Sequence, residues 1–104
     1  MDPITLLVIA ALSLFGGTAG VVYISYLTLP QVKAWFQARR SALFNRDAVA
    51  ATVIDLLASG QYRTVQGIFN TRSRTWSDYR TIEGQLSPEL KALHRNKRVV
   101  YHVI

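Results

Sequence analysis

Residues 4–29 read ITLLVIAALSLFGGTAGVVYISYLTL, 26 positions in a row without a formal charge. A bilayer core is crossed by roughly 20 apolar residues in helix, so this run is long enough to span with some tilt. It predicts a transmembrane anchor over residues 1–29. A cleavable leader fits less well. The flank Met1-Asp2-Pro3 lacks the positive charge a leader carries, and apolar sequence continues past Thr18-Ala19-Gly20, the one stretch resembling a cleavage site.

The remaining 75 residues hold all twelve Lys and Arg against five acids (Asp47, Asp55, Asp78, Glu83, Glu89), a balance of +7. Lys33, Arg39, Arg40 and Arg46 follow the apolar run closely, and no Lys or Arg precedes it. The positive-inside rule then predicts a single-pass protein with its N-terminus outside and its C-terminal domain cytoplasmic. The same balance suits anionic lipid headgroups, an acidic protein face or nucleic acid. No cysteine is present, which excludes disulfides and thiolate metal sites.

Within the apolar run Ala10, Ser13, Gly17 and Gly20 follow a 3-4-3 spacing, and Gly16 and Gly20 form GxxxG. Small residues on one side let a second helix approach closely in lipid, so these five are the expected helix-packing residues. The partner would be an integral membrane complex or a second copy. Tyr23 and Tyr26 fall where the inner interface would lie.

After Pro30 the segment 30–44 reads as a juxtamembrane amphipathic helix. Val32, Trp35, Phe36, Arg39 and Leu43 lie on one side, with Lys33 and Arg40 around it. Two surroundings satisfy that side. One is the headgroup region, with Lys33, Trp35, Phe36, Arg39 and Arg40 joining the two tyrosines as membrane-interface residues. The other is the apolar surface of the following domain.

Residues 45–104 form the expected basic α+β domain. Asn45 suits an N-cap, Val49, Val53, Leu56 and Leu57 repeat at helical spacing, and Gly60 suits the end of that helix. The period then changes. Residues 62–71 and 75–83 are rich in β-branched and aromatic side chains around the polar loop Asn70-Thr71-Arg72-Ser73-Arg74, which predicts a hairpin. Gly67 suggests a bulge or a close backbone approach. Ser87-Pro88-Glu89 opens a short helix, and residues 99–104 supply a third strand. The fold class expected is therefore α+β and membrane-anchored: one transmembrane helix, then a small cytoplasmic α-α-β-β-α-β module with a three-stranded sheet.

Arg63, Arg72, Arg74, Trp76 and Arg80 form a basic and aromatic group on the hairpin, and they are the expected partner-binding residues. Arginine loops grip carboxylates and phosphates, and aromatics on a sheet can stack bases. No RNA-binding sheet signature or helix-turn-helix accompanies them. His94 and His102 lie among Arg95, Lys97 and Arg98 with no carboxylate at helical spacing, and read as surface residues rather than an acid–base or metal site. No Walker loop, nucleophile elbow, HExxH or dinucleotide fingerprint occurs. The expectation is a non-enzymatic accessory subunit or adaptor of a membrane complex, without cofactor. A membrane-active lysis protein that self-associates and a tethered nucleic-acid binder are the alternatives.

Overall fold

A computed structural model of the chain describes residues 20–95 and 97–104. Five strands form one sheet in the order β1-β4-β3-β2-β5. The elements along the chain are β1 (Val21–Leu27), α1 (Leu29–Gln37), a 3-10 turn (Arg40–Phe44), β2 (Ala48–Leu56), β3 (Tyr62–Asn70), β4 (Thr75–Leu86), α2 (Pro88–His94) and β5 (Val99–His102). β1 runs parallel to β4, and every other neighbouring pair is antiparallel.

This architecture overturns the expected membrane-anchored fold. Residues 21–27, the C-terminal part of the apolar run, are strand and not helix, and Leu29 opens a separate helix. Among the described residues no helix is long and apolar enough to cross a membrane. The single transmembrane helix, and with it the outside-to-cytoplasm placement, is therefore corrected. The physical reason lies in VVYISYL, which is rich in β-branched and aromatic residues. The edge of β4 gives its backbone a hydrogen-bonding partner that a lone segment in lipid would find only within a helix. Ala10, Ser13, Gly16 and Gly17 lie outside the described residues. Gly20, the last of that group, occupies a turn with φ +75°.

The expected helix after Asn45 is also corrected, because Ala48–Leu56 is the strand β2, paired on both sides. Its apolar residues satisfy either period, since both faces of this strand are buried. Val53 and Ala51 lie in one cluster and Ala50 in the other, each buried. The sheet thus has five strands where three were expected. The hairpin, the Ser87-capped helix and the last strand stand close to the expected positions.

Both helices cover one face. There Leu27, Val32, Phe36, Ala50, Ile68, Ile82, Leu86 and Leu90 make a continuous buried cluster, with Trp35 and Leu43 packed at its margin. Burying a side chain such as Phe36 contributes roughly 1.5–3 kcal/mol. Of the two surroundings open to the apolar side of 30–44, the sheet is the one that receives Val32 and Phe36. Pro30 produces no break. It sits in the first turn of α1, where a missing N–H costs nothing. Thr28 caps that turn in a reciprocal capping box: its Oγ1 accepts from the Gln31 N–H at 3.4 Å, and its own N–H donates to Gln31 Oε1 at 3.0 Å. The opposite face carries a second cluster of Ala51, Val53, Val65 and Phe69.

Candidate anion-binding groove

Trp35 lies in the last turn of α1, and Arg39 follows two residues past the end of that helix, where its side chain folds back over the Trp35 ring. The Arg39 guanidinium carbon lies 3.8 Å from the Trp35 ring centroid. Arg39 donates from Nη1 to the Trp35 carbonyl at 3.2 Å and from Nε to Asp78 Oδ2 at 2.7 Å. Asp78 belongs to β4, so the bond ties the helix to the sheet. Two residues further along β4, on the same face, Arg80 reaches the same ring, its guanidinium carbon 5.6 Å from the centroid.

A buried amide sets the position of Arg80. Gln66 on β3, directly opposite Arg80 in register, is fully buried. Its Oε1 accepts from Arg80 Nε at 2.7 Å, and its Nε2 donates to the Val32 carbonyl of α1 at 2.7 Å. A buried amide with both ends satisfied is a rigid support. Burial, and then the neighbouring Arg39 charge, pulls Arg80 below the ordinary arginine value. Guanidinium is basic enough to keep its charge at neutral pH regardless.

The result is an open groove of about 450 Å³ between β1 and α1, lined by Ile24, Leu27, Gln31, Trp35, Arg39 and Arg80 among others. Two cations face it, and one carboxylate, Asp78, neutralises one of them. Arg80 has no carboxylate partner among the described residues. Its guanidinium, a planar charged donor, thus belongs to the lining of a concave surface with apolar walls. That combination suits an anion carried on an apolar body.

The residues expected to act together are divided. Trp35, Arg39 and Arg80, drawn from two separate groups, converge here. Phe36 is buried in the core. Lys33, Arg40, Tyr23 and Tyr26 are exposed, the tyrosines on the edge strand β1. Arg72 and Arg74 sit at the tip of the β3–β4 hairpin, Arg74 in the left-handed region at φ 62°. Arg63 lies on the opposite sheet face in a cross-strand pair with Glu83 at 2.7 Å. Trp76, on that face too, stacks edge-on against Phe69.

The histidines depart most from expectation. His94 is buried, and Thr52 Oγ1 stands between His94 Nε2 at 3.0 Å and His102 Nε2 at 2.8 Å. His94 Nδ1 lies 3.0 Å from the Lys97 carbonyl, which can only accept. Nδ1 therefore carries a proton. In the neutral ring Nε2 is then an acceptor, so Thr52 donates to His94 and accepts from His102. Burial lowers the His94 pKa, with the Lys97 carbonyl opposing it. Burial, then His94 and Lys33, lowers that of His102 to about 4. This chain fastens β5 and α2 to β2. Nothing in the sequence spacing pointed to it, because Thr52 lies more than 40 residues from either histidine. Among the described residues no group of three or more His, Asp or Glu could hold a metal ion.

No family model, no curated protein and no solved structure matches the chain.

Proposed function

We propose that the chain is a non-enzymatic docking module that captures an acidic segment of a partner protein in the Trp35–Arg39–Arg80 groove. The observation that carries this reading is Arg80: half-buried, held by the Gln66 amide, and without a counter-charge among the described residues. A partner carboxylate would supply the missing charge, and an adjacent apolar side chain would rest against Ile24 and Leu27. A nucleic acid fits the groove less well. The Trp35 ring, on which a base would stack, already carries Arg39 at 3.8 Å.

The test uses a Trp76→Phe background, which leaves Trp35 as the single tryptophan. Its emission is followed as a capped peptide of alternating Glu and Leu is added. A saturable change is expected, weakened about tenfold by Arg80→Gln, since one charge-assisted hydrogen bond is worth roughly 1.5 kcal/mol. Arg72→Gln, at the distant hairpin tip, should leave the titration unchanged. If the two substitutions weaken binding equally, the attraction is general electrostatics and the groove is not the site. An unsaturable titration has the same meaning.

A further inference from the structure

β1 ends the sheet, with β4 its one strand neighbour among the described residues. A bare edge invites another strand, so natural sheets ordinarily blunt their edges with charge, proline, a bulge or shortness. β1 runs for seven residues, VVYISYL, and none of them is charged or proline. Val22, Tyr23 and Tyr26 are 45, 63 and 59 % exposed. An apolar edge therefore stands open to solvent. Ile24 and Leu27 of the same strand line the Trp35–Arg39–Arg80 groove.

Building on the acidic-segment reading of that groove, we propose that the segment binds as a sixth strand, hydrogen-bonded to the outer edge of β1. Backbone direction supports this. Successive residues of a strand turn their N–H and C=O groups to opposite edges. The Leu27 carbonyl accepts from the Ser87 N–H at 2.9 Å, and the Ile24 carbonyl lies against Gly84, so both residues face β4. Tyr26 and Tyr23, the residue before each, therefore turn their N–H and C=O groups outward. Between the tyrosines three steps along β1 match two along β4. The bulge absorbs the extra residue and leaves both tyrosines as outward docking points.

Side-chain direction joins this edge to the groove. Alternate side chains of a strand share a face. Tyr23 and Tyr26 stand opposite Glu83 and Gln85 in register, on the face away from the helices. Ile24 and Leu27 belong to the core under the helices. A sixth strand would send every second side chain to the face that carries α1, Trp35 and Arg80, and the others beside the tyrosine rings. A carboxylate and an apolar group two residues along then enter the groove together. The β1 strand of a second copy would bring no carboxylate to Arg80, which favours an acidic partner segment over self-pairing.

The probe is a capped Glu-Ser-Leu-Ser-Glu-Ser-Leu peptide, followed by Trp35 emission in the Trp76→Phe protein. N-methylation of its Glu and Leu residues blocks one backbone edge, and N-methylation of its Ser residues blocks the other. One set is expected to weaken binding about tenfold or more, as the loss of a backbone hydrogen bond or two does, and the other to leave it unchanged. The Tyr23 and Tyr26 amides should exchange more slowly once the unmethylated peptide is bound. If the parent peptide saturates and both methylated sets match it, the groove binds acidic peptide but no strand is added. If the parent gives no saturable response, the groove itself is not a site and the sixth strand falls with it. If the two amides are already protected in a dimer of the free protein, a second copy holds the edge. Each of these three results overturns the proposal.

Discussion

A β-carbon added to Gly84 would collide with the carbonyl oxygen of Ile24 on the neighbouring strand. The obstacle is backbone, so it cannot swing aside. β1 and β4 change register between Tyr23 and Tyr26, around this contact. Gly84 thus sets how closely the edge strand sits, and with it the wall that Ile24 gives the groove. Gly84→Ala should cost roughly 1–3 kcal/mol, as overpacking does, and should selectively lower amide protection in β1. Urea unfolding and hydrogen exchange read the two effects. Gly67 was legible as a close approach, since its β-carbon would stand 2.7 Å from the Asp78 carbonyl. Gly84 was not, because its neighbour lies on a strand that the sequence disguises as part of a lipid-spanning run.

At the scale of elements, legibility followed the clarity of the punctuation. Ser87-Pro88-Glu89 opens a helix whose Ser87 Oγ accepts from the Leu90 N–H at 3.3 Å. The polar residues 70–74 form a real turn, with Asn70 Oδ1 accepting from the Arg72 and Ser73 N–H groups. β2 lacked such a signal. A strand buried on both faces has no polar side, so its valines and leucines match a helical period by accident. α1 depends on the Thr28–Gln31 box because its nine residues are too few to persist alone. Thr28→Ala should lower stability by about 1 kcal/mol. The groove should loosen with it, since Trp35 rides on this helix and Arg39 is fixed just past its end, bonded to the Trp35 carbonyl. A drop in urea midpoint with weaker acidic-peptide binding would show both.

For the whole molecule, the buried histidines make stability depend on pH. The folded-state pKa values of His94 and His102 lie below the unfolded value of about 6.5. Between the two values the unfolded chain binds more protons, so stability rises with pH there. It should be fully present above about pH 6.5 and decline as pH falls toward about 4, the His102 value. His102 is partly open to solvent, so screening reduces the effect to roughly 1–2 kcal/mol, less than the shift alone would give. Urea midpoints between pH 7 and 5 measure the slope. His102→Phe should flatten most of it, and a slope unchanged by that substitution would place its origin elsewhere.

The sequence by itself determined the local features: the hairpin with its arginine tip, the capped helix α2, the closing strand, the apolar side of 31–44 and the basic excess of the second part. The hairpin turn and the cap of α2 rest on contacts within a few residues, where spacing and capping chemistry are sufficient. Tertiary structure alone decided which backbone partners residues 21–27 and 48–56 would take, because an apolar run satisfies a helix, a buried strand or a bilayer equally well until a neighbour exists. It also decided the candidate site. Trp35 and Arg39 meet Arg80, and Thr52 meets two histidines, across separations of 40 residues or more. Those meetings are set by strand order and register, which only the closed sheet specifies.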